Sequence, residues 1–323
     1  MKESSKITLL RLPLTHWVSL AIYIAILVIF IFFYSGFVEG RHSAAGWLDS
    51  AWNPETDYEH GWMIPILSGY MVWHAARELK GTPLSGSLHG LWAVLAGGLL
   101  CLLAVRTQQP RIAIGAVPFA LLGAVWSYWG WAAARKCAFP LFFLWLAIPL
   151  PGFQQATVGL QLLSAQAAHW GAELCGVETI MQGTNIASAD GSWDAYNIAG
   201  GCSGIRSLMA LFMISIAWGY LADKLALWKR ITLALSAIPL AILGNAFRVA
   251  SIFICAEYIN PAFAGKTWHD WSGLLFFFPA TLIGLMFLHA VLAGEVPFLR
   301  RRKVIITRRS STCPTPTEKG DAA

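Results

Sequence analysis

The chain has 323 residues, of which 57% are hydrophobic and 12% are charged, and its mean hydropathy is +0.58. Soluble domains carry about 25% charged residues, so this composition excludes an ordinary soluble protein and indicates a multi-pass membrane protein. The net charge of +6 does not indicate nucleic-acid binding, because seven of the 23 Lys and Arg residues lie from Arg300 onward and most others flank apolar runs.

Eight apolar segments of roughly bilayer-crossing length follow one another along the chain. The first is long enough to stay in the membrane as an anchor, and Pro149 and Pro151 could break the fifth. The predicted spans are 17–37, 61–77, 90–105, 112–133, 138–151, 202–222, 231–257 and 271–293.

The distribution of Lys and Arg predicts the orientation of these spans. With the N-terminus in the cytoplasm, the inside segments hold 17 Lys and Arg residues and the outside segments hold four. Cytoplasmic loops of membrane proteins are enriched in Lys and Arg, so we expect both termini in the cytoplasm.

The longest outside segment, 152–201, contains no Lys or Arg. Its first half predicts a helix lying in the outer interface, and its second half alternates around Asp190-Gly191, which predicts a hairpin turn. The residues expected on the apolar face of that helix are Leu160, Leu163, Ala167, Trp170 and Leu174.

The sequence therefore predicts an all-α polytopic membrane protein with about eight transmembrane helices and a small extracytoplasmic helix-plus-hairpin cap. Residues 1–300 form a single transmembrane domain, and residues 301–323 form a basic, disordered cytoplasmic tail. Six cysteines show no CxxC or Cys/His spacing, so neither a metal site, a cofactor nor a disulfide framework is expected.

Cys202 differs from the other cysteines by its position. The stretch AGGCSGIRSL sets it after Gly200 and Gly201, at the outer, N-terminal end of the sixth span. Unpaired N–H groups and the helix dipole favour a thiolate there, so this position promotes nucleophilicity.

Two further polar residues are predicted near the same membrane face. Arg248 lies inside the seventh span, about 13 Å below its outer end, where an arginine by default lines a functional cavity. Asn245 shares the face of Arg248. His269 lies just outside the eighth span, and its neighbour Asp270 is given no orienting role because adjacent side chains at a helix start point apart.

A thiol, a guanidinium and an imidazole at one membrane face are the parts needed for acyl transfer. In this interpretation Cys202 attacks a peptide carbonyl, and His269 takes the thiol proton and returns it to the leaving amine. Arg248 stabilises the thiolate or the oxyanion.

Five segments carry a resemblance to the exosortase/archaeosortase family of membrane cysteine transpeptidases. EHGWMIPILSGYMVW and PLFFLWLAIPLP are similar to its early and fifth-span segments, and GGCSGIRSL, GNAFRV and HDWSG resemble the blocks with its catalytic Cys, Arg and His. The resemblance implies that Cys202, Arg248 and His269 are the catalytic set. Gly201 stands where many members have Ala, which leaves the sorting motif open.

The family likeness also implies a substrate, a location and an outcome. The partners would be secreted proteins whose C-termini carry a sorting motif, a transmembrane helix and a basic cluster, as in PEP-CTERM proteins. The enzyme would cleave at the periplasmic face of the bacterial inner membrane, through a thioester at Cys202, and transfer the product to an envelope acceptor.

Two more residues are candidates for substrate binding besides Asn245. Arg206 lies four residues after Cys202 and could hold a substrate carbonyl or a lipid phosphate, or form a structural pair with an acid such as Glu257. His60, at the outer mouth of the second span, could also line the site.

Two other functions fit parts of the pattern. Gly201-Cys202-Ser203-Gly204 matches the G-x-S-G motif of rhomboid-type intramembrane serine proteases, with His269 or His289 as base. A non-enzymatic transporter could instead use Arg206 and Arg248 to line an anion path, although the sequence lacks the inverted repeat that this class often shows.

Overall fold

The computed structural model describes residues 14–37, 42–82, 85–149, 158–197 and 205–295. Cys202, Ser203, Pro151 and the predicted tail 301–323 lie outside these ranges. The described part is mostly helical, as the composition predicts.

Ten helical segments account for most of the described chain. Two single-turn 3₁₀ helices, Pro54–Thr56 and Glu59–Trp62, precede the third segment, and a 3₁₀ turn, Phe143–Ala147, extends the sixth. In chain order the segments are α1 Leu14–Phe33, α2 Ala44–Ala51, α3 Met63–Glu78, α4 Gly90–Thr107, α5 Pro110–Trp129, α6 Trp131–Phe142, α7 Val158–Leu174, α8 Ile205–Leu221, α9 Leu227–Tyr258 and α10 Pro261–Ala293.

Five of these segments, α1, α4, α5, α9 and α10, are long and apolar enough to cross a membrane. Three other predicted spans coincide with the shorter helices α3, α6 and α8, of 16, 12 and 17 residues. The described residues thus support five candidate spans by length and composition, and the full count of eight stays a prediction.

The boundary between the fourth and fifth predicted spans was wrong. The sequence predicts a helix to residue 133, but α5 ends at Trp129 because Gly130 has φ 83°, in the left-handed region that glycine tolerates. A new helix then starts at Trp131 and includes Pro140.

A three-stranded antiparallel sheet follows α7, in the order β1 Thr179–Gln182, β2 Asn185–Ser188 and β3 Tyr196–Asn197. Gln182 pairs with Asn185, so the tight turn between β1 and β2 is Gly183-Thr184, with Gly183 at φ 65°. The predicted turn Asp190-Gly191 lies instead in the longer connection between β2 and β3.

Helix α7 packs on α9 through small residues. Ala165, Ala168 and Ala172 are fully buried against the part of α9 that includes Val249 and Phe253. The larger apolar residues of the predicted interfacial face, Leu163, Trp170 and Leu174, are exposed. This division suits a helix whose alanines contact protein and whose large side chains contact lipid.

Helix α10 begins earlier and is less regular than predicted. Asn260 caps it by accepting hydrogen bonds from the N–H groups of Ala262 and Phe263, and Pro261 occupies its first position. Two π-helical turns, Ala264–Trp268 and Gly273–Phe277, interrupt the α-helical pattern. His269 therefore lies inside the long helix, between two π-helical turns, and not outside it as expected.

Candidate active site

A cavity of about 490 Å³ brings four predicted site residues together. It lies between the segment that precedes α3, the start of α8, the middle of α9 and the first half of α10. The residues that line it include Asp57, Glu59, His60, Arg206, Arg248, His269, Asp270 and Gly273.

Arg248 binds the backbone of the helix that carries His269. Its Nη2 donates a hydrogen bond to the carbonyl oxygen of His269 over 2.8 Å. Its Nε is buried and has no hydrogen-bond partner among the described residues. A buried N–H of an arginine is costly to leave unpaired, so this guanidinium, which also lines the cavity, retains an unused donor.

Ser251 and Trp268 connect α9 and α10 beside this contact. The hydroxyl of Ser251 donates to the carbonyl of Arg248 over 2.6 Å and accepts a hydrogen bond from Trp268 Nε1 over 3.0 Å. Both helices are therefore joined one residue before His269, which fixes the imidazole relative to the guanidinium.

Asp270 accepts a hydrogen bond from the ring of His269, contrary to the sequence-based expectation. The Nδ1–Oδ1 distance is 3.0 Å. An ionised carboxylate only accepts hydrogen bonds, so Nδ1 of His269 is the protonated nitrogen and Nε2 is the basic one in the neutral ring. Both residues lie in the short α-helical stretch His269–Ser272, which follows a π-helical turn.

Arg206 forms ion pairs with acids other than the predicted one. Its Nε lies 3.1 Å from Oδ1 of Asp57, and its Nη1 lies 3.9 Å from Oε2 of Glu59. Glu257 accepts hydrogen bonds from Ser192 and Trp193 instead. The alternative of a structural pair with an acid is therefore confirmed, but Glu257, named as the example, is not that acid, because the connection between β2 and β3 occupies its carboxylate.

His60 lines the cavity and is buried, with 5% of its surface exposed. Neither ring nitrogen makes a hydrogen bond of normal geometry, although the backbone and charge of Asp57 are close enough to affect the ring. Burial lowers the pKa of His60 to about 4, and the proximity of Asp57 only partly opposes this shift. His60 is therefore a neutral imidazole at physiological pH.

The remaining predicted residues lie elsewhere. Asn245 is 5% exposed inside the bundle, one turn before Arg248, and is not among the residues that line the cavity. Cys202 and Ser203 are outside the described residues. Arg206, four residues after Cys202, marks the cavity end of α8.

A second polar group lies at the other end of α8. His74, Glu78 and Asp223 offer possible metal-ligand atoms within 4.8 Å of one another. The ammonium of Lys136 already lies 2.5 Å from Glu78. The Lys136 ammonium would compete with a metal ion for the Glu78 carboxylate, so the cluster is an ion-pair network.

Sequence reasoning missed Glu59 and three other residues of the site: Asp57, Asp270 in an orienting role, and Gly273. A Cβ atom placed on Gly273 would lie 3.0 Å from Cζ and Nε of Arg248, so the glycine leaves room for the guanidinium. The HDWSG segment contains two of the three, but only the π-helical turns show how they face the cavity.

The family comparison covers every element of this cavity. The model of the transmembrane exosortase family (Exosortase_EpsH) matches residues 52–287. The chain belongs to the transmembrane exosortase family. No curated protein and no solved structure gives a significant match.

Membership has three direct consequences. Exosortases are a protease and transpeptidase class, they act on the sorting signals of secreted proteins, and they are multi-pass membrane proteins. The matched range begins just before Asp57 and ends well after His269, so the cavity residues all belong to the exosortase domain.

Proposed function

We propose that this exosortase is a cysteine peptidase and transpeptidase that cleaves C-terminal sorting signals through a thioester at Cys202. The observation that carries the proposal is the cavity that unites Arg248 and His269 with Arg206, close along the chain to Cys202. The family match supplies the class of reaction.

In the first step His269 acts as general base. Nε2 takes the proton of the Cys202 thiol, and the thiolate attacks the carbonyl carbon of the scissile peptide bond. The carbonyl π electrons move to oxygen, and the positive charge of Arg248, which lines the cavity, stabilises the resulting negative charge.

The tetrahedral intermediate then collapses. The carbon–nitrogen bond breaks, and the imidazolium of His269 gives its proton to the leaving amine, which departs with the transmembrane tail. A thioester links Cys202 to the new carboxyl end. An acceptor nucleophile attacks this thioester, loses a proton to His269, and returns the thiol; with water as acceptor the outcome is hydrolysis.

Asp270, Arg206, Asn245 and His60 support these steps in the proposal. Asp270 keeps the base in the correct tautomer through its 3.0 Å contact with His269. Arg206 and the neutral ring of His60 border the space in which the peptide would bind. Asn245 is buried one turn before Arg248 on α9 and is not among the lining residues, so it does not contact the peptide in this mechanism.

The distribution of charge supports a periplasmic site. Lys136, Lys224, Lys229 and Arg230 lie at the end of α8 opposite the cavity, where Tyr220 bonds the backbone of Lys136. Cytoplasmic ends are enriched in such residues. We place both termini in the cytoplasm of a bacterium, and the cavity at the outer face of its inner membrane.

The substrates in this proposal are secreted proteins with a motif, a helix and a basic cluster at the C-terminus. The membrane holds the substrate helix beside the bundle and so presents the motif at the height of the cavity. Surrounding lipid is the other partner, in keeping with the exposed apolar residues of α1.

The test compares Cys202→Ala and Ser203→Ala in cells that express a tagged secreted protein with such a tail. Loss of processing in Cys202→Ala with processing retained in Ser203→Ala is the expected result. Loss in Ser203→Ala alone would favour the rhomboid-type alternative. The rhomboid-type alternative with His289 as base is disfavoured by position. His289 lies 20 positions after His269 on α10, which places it about 30 Å from the cavity residue His269.

A further inference from the structure

Asp57 has an unusual backbone conformation. It lies between the two single-turn helices before α3 and has φ 62°. Among the described residues that are not glycine, only Gln108 shares a positive φ. The left-handed region is unfavourable for residues with a Cβ atom, although aspartate enters it more readily than most. Such a conformation persists where the surrounding contacts hold it, and it is often found at functional sites.

The carboxylate of Asp57 is held by Arg206. The side chain is 15% exposed, and its Oδ1 accepts from Nε of Arg206 over 3.1 Å. Glu59 is farther from the same guanidinium, at 3.9 Å, and 45% exposed. Asp57 is therefore the closer and less exposed partner, whereas the Arg206 side chain is 40% exposed, so water and salt screen the pair in part.

This ion pair joins two helix starts across the cavity. Asp57 belongs to the segment that leads into α3, and Arg206 is the second residue of α8. Arg206 is four positions after Cys202 in the sequence, so their Cα atoms are at most about 14 Å apart. Whatever fixes Arg206 also restricts where the thiol can lie.

We propose that Asp57 is a positioning residue of the transpeptidase: its ion pair with Arg206 holds the first turn of α8 and balances the guanidinium charge next to Cys202. This inference rests on the proposed function of Cys202. It assigns to Arg206 a partner and a task that the sequence left open.

The charges that face the cavity make the proposal testable. Besides the pair, its charged or titratable lining residues are Glu59, His60, Arg248, His269 and Asp270. Asp57→Asn removes a negative charge beside Arg206, with Glu59 still 3.9 Å away, and this change favours the thiolate. Arg206→Gln removes a positive charge, which disfavours the thiolate. The two variants should therefore shift the pH dependence of thiol reactivity in opposite directions.

The experiment measures alkylation of Cys202 by iodoacetamide as a function of pH, in the full-length protein in detergent, with the site resolved by peptide mass spectrometry. The midpoint should move to lower pH in Asp57→Asn, to higher pH in Arg206→Gln, and return close to wild type in the double variant. Glu55→Gln is the matched control, because this exposed acid lies two residues away and does not line the cavity. Its midpoint should not move.

Cleavage of a tagged substrate provides the second readout. Each single variant should lower kcat about tenfold or more with a smaller change in KM, because a displaced nucleophile slows the chemical step. The double variant should be no slower than the slower single variant, since both remove one contact. If Asp57→Asn does not fold, Asp57→Glu keeps the charge and should lower kcat while leaving the midpoint in place.

Three results would overturn the inference: midpoints that do not separate, wild-type kcat in the Asp57 variant that folds, or losses that multiply in the double variant. Its failure is distinguishable from failure of the proposed function. If Cys202→Ala still processes substrate, the proposed function is wrong. If Cys202→Ala is inactive and any of these three results is found, only the role of Asp57 is wrong.

Discussion

The guanidinium of Arg248 donates a hydrogen bond directly to the backbone of His269, with Nη2 of Arg248 2.8 Å from the carbonyl oxygen of His269. One arginine thus holds the helix of the proposed base and also lines the cavity, while its buried Nε has no hydrogen-bond partner among the described residues. This relationship joins two residues 21 positions apart in the sequence, on α9 and α10.

Arg248→Lys should therefore be severe. A lysine is a point charge on a flexible stem and cannot bond the His269 carbonyl while donating to an oxyanion in a fixed plane. We expect kcat for substrate cleavage to fall about a hundredfold or more, with KM less affected. Wild-type kinetics in this variant would remove Arg248 from the mechanism. Equal thermal unfolding midpoints would show that the loss is not one of folding.

Gly273→Ala should disturb the same guanidinium without touching any charge. The new methyl group would lie 3.0 Å from Cζ and Nε of Arg248, closer than such contacts normally allow, so the arginine must shift. We expect about a tenfold loss of kcat. Gly98→Ala is the matched control, because nothing lies within 4 Å of its added methyl group. Equal activity in the two variants would contradict this account of Gly273.

Asp270→Asn tests the orientation of the base. The amide can donate as well as accept, so it no longer fixes which nitrogen of His269 carries the proton. We expect a fall of about tenfold to a hundredfold in kcat for cleavage, with substrate binding retained. Asp270→Glu, which keeps the charge, should recover part of the rate. If both variants cleave at the wild-type rate, the 3.0 Å contact has no part in catalysis.

Burial of His60 makes stability depend on pH. Its pKa in the folded protein is about 4, below the ordinary value of 6.5, so protons bind the unfolded chain more readily. The stability that this neutral imidazole contributes is present above about pH 6.5 and is lost as pH falls toward 4. The thermal unfolding midpoint in detergent should drop less between about pH 7 and pH 4.5 in His60→Gln than in wild type.

An exposed histidine provides the control for that comparison. His42→Gln should leave the pH dependence of the unfolding midpoint as it is in wild type, because this side chain is exposed and does not line the cavity. A pH dependence that is the same in His60→Gln and in wild type would show that His60 is not the responsible group.

Hydrophobic runs allowed much of the helical framework to be predicted, because the length of an apolar run is a local property of the sequence. The end of α5 was missed because the left-handed conformation of Gly130 is not visible in a hydropathy pattern. The turn was misplaced for a similar reason: both Gly183 and Gly191 adopt positive φ, and only the pairing of Gln182 with Asn185 selects the first.

The candidate site was predictable from the sequence where a charged residue lies inside a predicted membrane span, because burying a charge in the membrane costs free energy. Arg248 stood out because a cation inside an apolar span needs a reason. The partners of Arg206 were not predictable, since Asp57 lies 149 positions away and pairs with it only through the packing of α3 against α8. The role of Asp270 was missed because adjacent side chains of an α-helix were expected to point apart, whereas the ring of His269 turns far enough to reach the carboxylate of its neighbour over 3.0 Å.

In the proposed mechanism Cys202 carries the acyl group as a thioester, and this thioester can be trapped. The purified protein would be mixed with a substrate that bears a C-terminal sorting tail, quenched in acid, and mapped by mass spectrometry. We predict an adduct on Cys202 with the mass of the N-terminal product less one water, released by hydroxylamine and absent from His269→Gln. An adduct on Ser203, or substrate cleavage by Cys202→Ala at the wild-type rate, would contradict the account.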